Sequence, residues 1–495
     1  MSRKKLSLFA LVLSVSVLSS CSGLSDAPGG GGTGGGGSGN SGVANLTITM
    51  ISEAQSSQAS FTILAFSAQI TSLTLNVAGG NAMPLTLSPS PYPVDFNRLT
   101  TDTALFGTFS VPADTTFGSM TMALSNITLT IANNGATAIG TCAAGAVCEF
   151  TFAPQNATIA ASEFSAKYTS GSNNTIYFSV RPDNIVTLTN ANLVVDFTQT
   201  NFVPSLLLPR VGAAPNTIDT LEDFTGVVAA VSATSISVVS GNKVGITATL
   251  AGTTAFDDQT SCNAVTASIA NCVKVGSIVS LDGSVSATGV LTASEIDLID
   301  PATVDAIEGT IFATSPGNFA LVVTDKQEAT NGLAGVAQAN IGDIFTVNGL
   351  ATALFSVDTK TLTTATPIVP INLFQGTGGI LNGQTVRLHV TAASGSASSN
   401  NQTLTASTVQ LRFSRFTGFT SPPAGSLLNI TSIGPFFQLQ PSTQAVAQTY
   451  SPQTVVDKIT ALSTIGGPGT SPLFSFRGLM LNSSTRFYLT KARDQ

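Results

Sequence analysis

The 495-residue chain contains no tryptophan, one histidine and five tyrosines, and only 9% of its residues are charged. Each shortage removes a class of function. Without Trp there are no indole platforms for stacking sugars. With so few Tyr besides, there are no aromatic girdles of the kind that ring an outer-membrane barrel. A Ser-His-Asp triad would have to use His389, which follows Arg387 and Leu388 on a predicted strand; a lone histidine in that setting reads as a surface or edge residue. No G-x-S-x-G stands in a strand–turn–helix context, since Ser38 lies inside a glycine run. C-x-x-C is absent, so no metal site is predicted. The 19 Lys and Arg stand against 26 Asp and Glu, a formal net charge of −7. Phosphate binding needs clustered Lys and Arg, so nucleic acid is not an expected partner. The expectation is a protein that is not an enzyme and holds no cofactor.

What is present begins with MSRKKLSLFALVLSVSVLSSC. Arg3, Lys4 and Lys5 precede an apolar run from Leu6 to Leu18, too short to span a bilayer as a stable helix, and this is the grammar of an export signal. No later segment is long and apolar enough to span as a helix. The run ends in Leu18-Ser19-Ser20-Cys21, which resembles the bacterial lipobox. The resemblance implies cleavage before Cys21 and a diacylglycerol on its thiol. Ser22 in place of Asp resembles the default for transfer to the outer membrane. Residues 22–42 then carry two runs of four glycines and no aromatic residue. Such a chain buries too little surface to offset its entropy, so it reads as a flexible tether reaching roughly 25 Å.

Four cysteines remain in two local pairs. In an oxidising exported compartment they predict the disulfides Cys142–Cys148 and Cys262–Cys272.

From 43 to 203 the pattern alternates with period two. Leu46, Ile48 and Met50 share one face, as do Met120, Met122 and Leu124; Ile127, Leu129 and Ile131 follow after a step of three that predicts a bulge beside Asn126. TIYFSV (175–180) and NLVVDFT (192–198) read as further strands. Short strands without long amphipathic helices predict a β-sandwich. VDFNRLTTDTALFGTFSVPADTTFGSMTMAL with a terminal LVVDFT resembles a family of uncharacterised bacterial lipoprotein domains, which implies a transthyretin-like or carboxypeptidase-regulatory-like sandwich; ISEAQ (51–55) replaces that family's early Asp-Ala-Pro. Residues 204–220, with three prolines, read as a linker.

The rest is repetitive. LTASEIDL (291–298) and LTASTVQL (404–411) nearly coincide. In both, Leu and Ala alternate and the apolar phase then slips by one, which predicts a shared bulge in the closing strand of a repeated small barrel. Gly226 and Gly309 mark the two module starts, and Gly276, Val279 and Leu281 correspond to Gly383, Val386 and Leu388. Phe416-Thr417-Gly418-Phe419 and SFRGLMLNSSTRFYLTKARD (475–494) resemble a degenerate third start and end. These repeats resemble another uncharacterised family of exported OB-like barrels.

The expected fold is therefore all-β. A signal peptide (1–20) and tether (21–42) precede a sandwich (43–203), the linker (204–220), and barrels at 221–301, 302–415 with an insertion, and 416–495. The carboxylates Glu222-Asp223, Asp257-Asp258 and Asp297 with Asp300 read as solvated turns and strand ends. Asp282-Gly283 reads as a hairpin turn, and the 28 Phe as core filling. The expected protein is a membrane-anchored, non-enzymatic binding, adhesion or structural module of the cell envelope. Its expected partners are the membrane, through the lipid on Cys21, and envelope glycans or proteins. The alternative is a glycan-binding or glycan-processing protein, which requires a carboxylate pair in one concave pocket.

Overall fold

The computed structural model describes residues 42–495 other than 54, 56–59, 89, 161–166, 198–218, 241–244, 259–268, 287, 301–303, 330–331, 363–364, 396–401, 438–443, 452 and 483–485. The expected signal peptide, Cys21, the tether, most of the 204–220 linker and Cys262 lie outside the described residues. No helix among the described residues is long and apolar enough to cross a membrane.

The chain is all-β. Its N-terminal module holds β1 (Val43–Ser52), β2 (Phe61–Val77), β3 (Ala82–Leu85), β4 (Tyr92–Asp95), β5 (Ala104–Pro112), β6 (Phe117–Asn133), β7 (Val147–Phe152), β8 (Gln155–Ala160), β9 (Asn173–Val180), and the hairpin β10 (Val186–Thr189) and β11 (Asn192–Val195). One sheet runs β5-β1-β9, and the other is built on the long β2–β6 pair. Their alternating inner residues form a single core: Leu46, Ile48 and Met50 from the first sheet meet Met120, Met122, Leu124, Ile127, Leu129 and Ile131 from the second. Each such side chain contributes about 1.5–3 kcal/mol on burial. The change of phase falls at Asn126, which takes φ +47° where Ser67 pairs with Thr128 and Gln69 with Ser125. A short 3₁₀ turn, Arg98–Thr100, leaves this module with both leucine and threonine buried.

Three barrels follow. In the first, β12 (Leu221–Val231), β13 (Ser235–Val239), β14 (Gly245–Asp258), β15 (Ile278–Val285) and β16 (Leu291–Asp300) close in the order β12-β13-β14-β16-β15. In the second, β17 (Ala306–Ser315), β18 (Asn318–Gln327), β19 (Ile344–Asn348), β20 (Leu354–Val357), β21 (Thr385–Ser394) and β22 (Gln402–Arg412) repeat that order, closed by β19 on β22. In the third, β23 (Ser414–Thr420), β24 (Leu427–Thr431), β25 (Ala445–Gln448), β26 (Val455–Asp457), β27 (Leu473–Met480) and β28 (Arg486–Asp494) do the same, closed by β25 on β28. The single long β14 of the first barrel is divided in the others into two short strands lying in succession along the last strand.

The registers are equivalent in all three. Gly226 faces Val279, Gly309 faces Val386 and Gly418 faces Phe474. A Cβ at Gly226 or Gly309 would sit 2.6 or 2.4 Å from the carbonyl oxygen of Val239 or Val322, because the next strand of a tightly coiled ring crosses there. The bulge implied by the repeated octets is present: Asp282 pairs with Glu295 but Gly283 with Ala293, leaving Ser294 extra, and Ser407 and Thr490 are extra at the same place. Asp282-Gly283 is thus not a hairpin turn. It lies inside β15, where Gly283 admits the close approach of the Thr292 carbonyl.

Candidate functional site

Along a barrel strand the side chains alternate, so Val279, Leu281, Ile296 and Leu298 fill the first barrel while Ser280, Asp282, Glu295 and Asp297 point outward. Outward residues of an isolated barrel would be wet. Here they are covered, because the other modules pack on this face: Asp297 is 3% exposed, and Arg387 on the same face of the second barrel and Arg493 on that of the third are fully buried.

The register makes the chemistry of the three faces comparable. Counting from the shared glycine and the shared bulge, Asp223, Asp282, Glu295 and Asp297 of the first barrel occupy the positions of Arg415, Arg477, Lys491 and Arg493 in the third. The second barrel has Ala306, His389, Thr408 and Gln410 there. Four positions have reversed sign between the first and third copies, and the reversed faces meet. Arg477 pairs with Asp223, while Glu222 receives Lys491 Nζ at 2.5 Å and Arg493 Nη2 at 2.6 Å. Asp457 binds both cations from within the third barrel, at 3.2 and 3.0 Å.

The turn around Arg98 draws the N-terminal module into the same cluster. Arg98 Nε holds Asp102 at 2.7 Å, its Nη1 reaches Asp325 of the second barrel at 3.2 Å, and its Nη2 donates to the Asp223 carbonyl at 2.7 Å. Asp102 accepts from Arg415 of the third barrel at 3.0 Å, and Thr103 donates to Glu222 at 2.8 Å. Arg493 Nη1 caps the Leu99 and Asp102 carbonyls, both at 3.0 Å. All four modules therefore meet in one buried ionic hub. Burial opposes ionisation of Asp102, but the guanidiniums of Arg415, Arg98 and Arg477 outweigh it and hold the carboxyl well below its usual range. Glu308, buried beside Arg412 at 3.3 Å, is lowered in the same way. For Glu222 burial prevails and raises the carboxyl.

A second seat holds Lys360, on a short 3₁₀ turn of the second barrel's insertion (Lys360–Leu362). Its ammonium lies 3.1 Å from Asp223, 3.0 Å from Asp297 and 3.6 Å from Asp282, all of the first barrel. Here carboxyl groups outnumber the cation, and burial pushes Asp282 up to about 8, Glu295 to about 7 and Asp297 to about 6, against the pull of Lys360.

These findings correct the reading of the carboxylates. Glu222, Asp223 and Asp297 are not solvated ends but 3–7% exposed and ion-paired, and Asp300 is 5% exposed, because other modules cover the strand faces that carry them. Asp257 is half-buried at the end of β14. His389 sits outside the second barrel and meets Asp300. Cys142 and Cys148 form a disulfide, and Cys272 is disulfide-bonded, its expected partner Cys262 lying outside the described residues. No group of three or more His, Cys, Asp or Glu is placed to hold a metal ion among the described residues. Arg98, Asp102 and Lys360 escaped sequence reasoning. The available signal was the third octet, FYLTKARD, whose Lys491 and Arg493 stand where LTASEIDL has Glu295 and Asp297.

No protein-family model and no curated protein matches the chain. The solved structure titled "drosophila Unr CSD456" aligns at 9% identity over 55% of this chain and 97% of that chain, with a TM-score of 0.12, too low to carry an argument.

Proposed function

We propose that this is a lipid-anchored protein of the bacterial cell envelope, tethered through Cys21 to the outer membrane, in which the sandwich and barrels act as one fixed array for binding, adhesion or envelope architecture. The observation that carries the reading is the hub. A chain with only 9% charged residues places many of them where four modules meet, a use of charge that specifies geometry. The resemblance of Leu18-Ser19-Ser20-Cys21 to a lipobox supplies the anchor. The test is labelled-palmitate incorporation by wild type and Cys21→Ala, followed by protease treatment of intact cells. The expected result is label that depends on Cys21, with cleavage of intact cells reporting a surface-facing array and its absence a periplasmic one. Absence of label in the wild type overturns the anchor.

One observation favours a second reading, glycan binding. A groove of about 710 Å³ at the end of the third barrel is lined by Ser426, Ser451, Thr460 and Ser463 beside Val456 and Leu462. Its lining carries no charged side chain, so it lacks the carboxylate pair that glycan processing requires and suits only the binding of a neutral sugar. Retention on immobilised envelope polysaccharide that is lost in Ser451→Phe would support it, and equal retention of both proteins would remove it.

A further inference from the structure

The seat of Lys360 has more acid than base. Asp282 and Glu295 are cross-strand partners on β15 and β16, and Asp297 lies two residues from Glu295 on the same face. Like charges directly opposite each other destabilise a sheet. Asp223 divides its carboxylate between Lys360 and Arg477, so the single ammonium is the close cation for the other three. The surroundings do not redress the imbalance. Asp257 on β14, Asp219 before β12 and Glu222 on β12 add negative charge; Arg412 on β22 acts on Asp297 from its own ion pairs, and Lys491 on β28 acts on Asp219 and Glu222.

The crowding also favours a proton. Glu295 stands directly opposite Asp282 and beside Asp297, and with Lys360 3.6 Å from Asp282 and 3.0 Å from Asp297, full ionisation would set three buried like charges around one ammonium. Asp297 Oδ1 is buried without a donor among the described residues, and so is the hydroxyl of Ser280, its cross-strand partner, which is 2% exposed. Lys360 itself is held at φ +42°, a region uncommon outside glycine, so the turn that inserts it is under backbone strain.

We propose that the Lys360 seat is a proton-operated joint between the first and second barrels, closed while its carboxyl groups share protons and loosened when they ionise in mildly alkaline conditions, so that the turn bearing Lys360 withdraws. The direction follows from linkage. Carboxyl groups raised on folding bind protons that the unfolded chain has already released, so their contribution is complete below about pH 4 and is lost as pH rises through about 6 to 8. Loosening bares an acidic face on the first barrel.

The test is amide hydrogen exchange on the whole exported chain, with rates corrected for the intrinsic effect of pH. From about pH 5 to about pH 9, protection of 278–285 and 354–362 is expected to fall roughly tenfold or more, while 473–480 of the third barrel holds. In Asp282→Asn/Glu295→Gln, where amides stand for the protonated acids, protection of the joint is expected to persist at the higher pH. Protection that does not change with pH in wild type, or falls equally in the variant, overturns the proposal. Infrared spectroscopy keeps it falsifiable should the variant not fold. The wild type is expected to show a protonated-carboxyl band near about pH 6 that vanishes by about pH 9, and no such band at the lower pH refutes the shared protons.

Discussion

Asp102 is the residue on which most of the hub turns. It is 2% exposed and accepts from Arg98 and Arg415, with Arg477 at 3.8 Å. Asp102→Asn keeps the shape and removes the charge, leaving guanidiniums buried with less compensation. The expected loss is about 3–5 kcal/mol, the range for breaking one partner of a buried ion pair. The exposed pair of Asp114 and Lys167, 3.6 Å apart with side chains more than half exposed, gives the contrast: Asp114→Asn is expected to change stability by less than about 0.5 kcal/mol. Denaturant midpoints at constant slope decide both. The pH dependence has two limbs. Asp102 and Glu308 are lowered on folding, so the stability they add is full above about pH 4 and is lost on acidification below it. The raised carboxyls of the Lys360 seat act oppositely. Denaturation midpoints measured across pH are therefore expected to peak in the mildly acidic range, and a monotonic rise from acid to alkaline pH contradicts the balance of the two groups.

At the scale of the element, the glycines that open each barrel lead to a sharper expectation. Gly309→Ala would press a methyl group to 2.4 Å from the Val322 carbonyl and 2.7 Å from Leu321 Cδ1. Backbone cannot yield cheaply there, and a loss of about 2 kcal/mol or more is expected. Gly252, on the exposed middle of β14, would meet nothing within 4 Å, so Gly252→Ala is expected to be neutral or slightly stabilising. Thermal melts of the two variants separate these outcomes. The same elements show why the fold was readable. A one-residue phase slip inside an octet can be satisfied only by an extra residue in the strand, and Ser294 and Ser407 are those residues. Apolar alternation likewise marked the sandwich core, because inside and outside differ at every second position. Outward positions carry no such mark. Glu295 and Asp297 read as solvated because a strand pattern says which side faces the barrel interior, not what packs against the other side. The hub depends on contacts such as Asp102 with Arg415, 313 residues apart, and local periodicity has no access to that distance.

For the whole molecule, the sign reversal between repeats supplies a logic of assembly. Three copies of one barrel with identical outer faces would have no preferred neighbours. Acid on the outer face of the first copy and base on that of the third let Asp223 and Glu222 receive Arg477, Lys491 and Arg493, while Lys360 of the second barrel takes Asp282 and Asp297, and Arg98 and Asp102 fix the N-terminal module to every barrel at once. Charges that meet only in the assembled state add nothing to an isolated module and leave it with unpaired ions, so they couple the modules' stabilities. The wild-type chain is accordingly expected to unfold in a single calorimetric transition despite its four cores. Arg493 is the place to break that coupling, being fully buried and bound to Glu222, Asp457 and two carbonyls of the N-terminal module. In Arg493→Met, whose side chain retains much of the volume, the transition is expected to split, with the third barrel melting apart from the rest. Several transitions in the wild type, or one undivided transition in the variant at a merely lower temperature, would show that apolar contact between the modules holds them together and that the hub only sets their orientation.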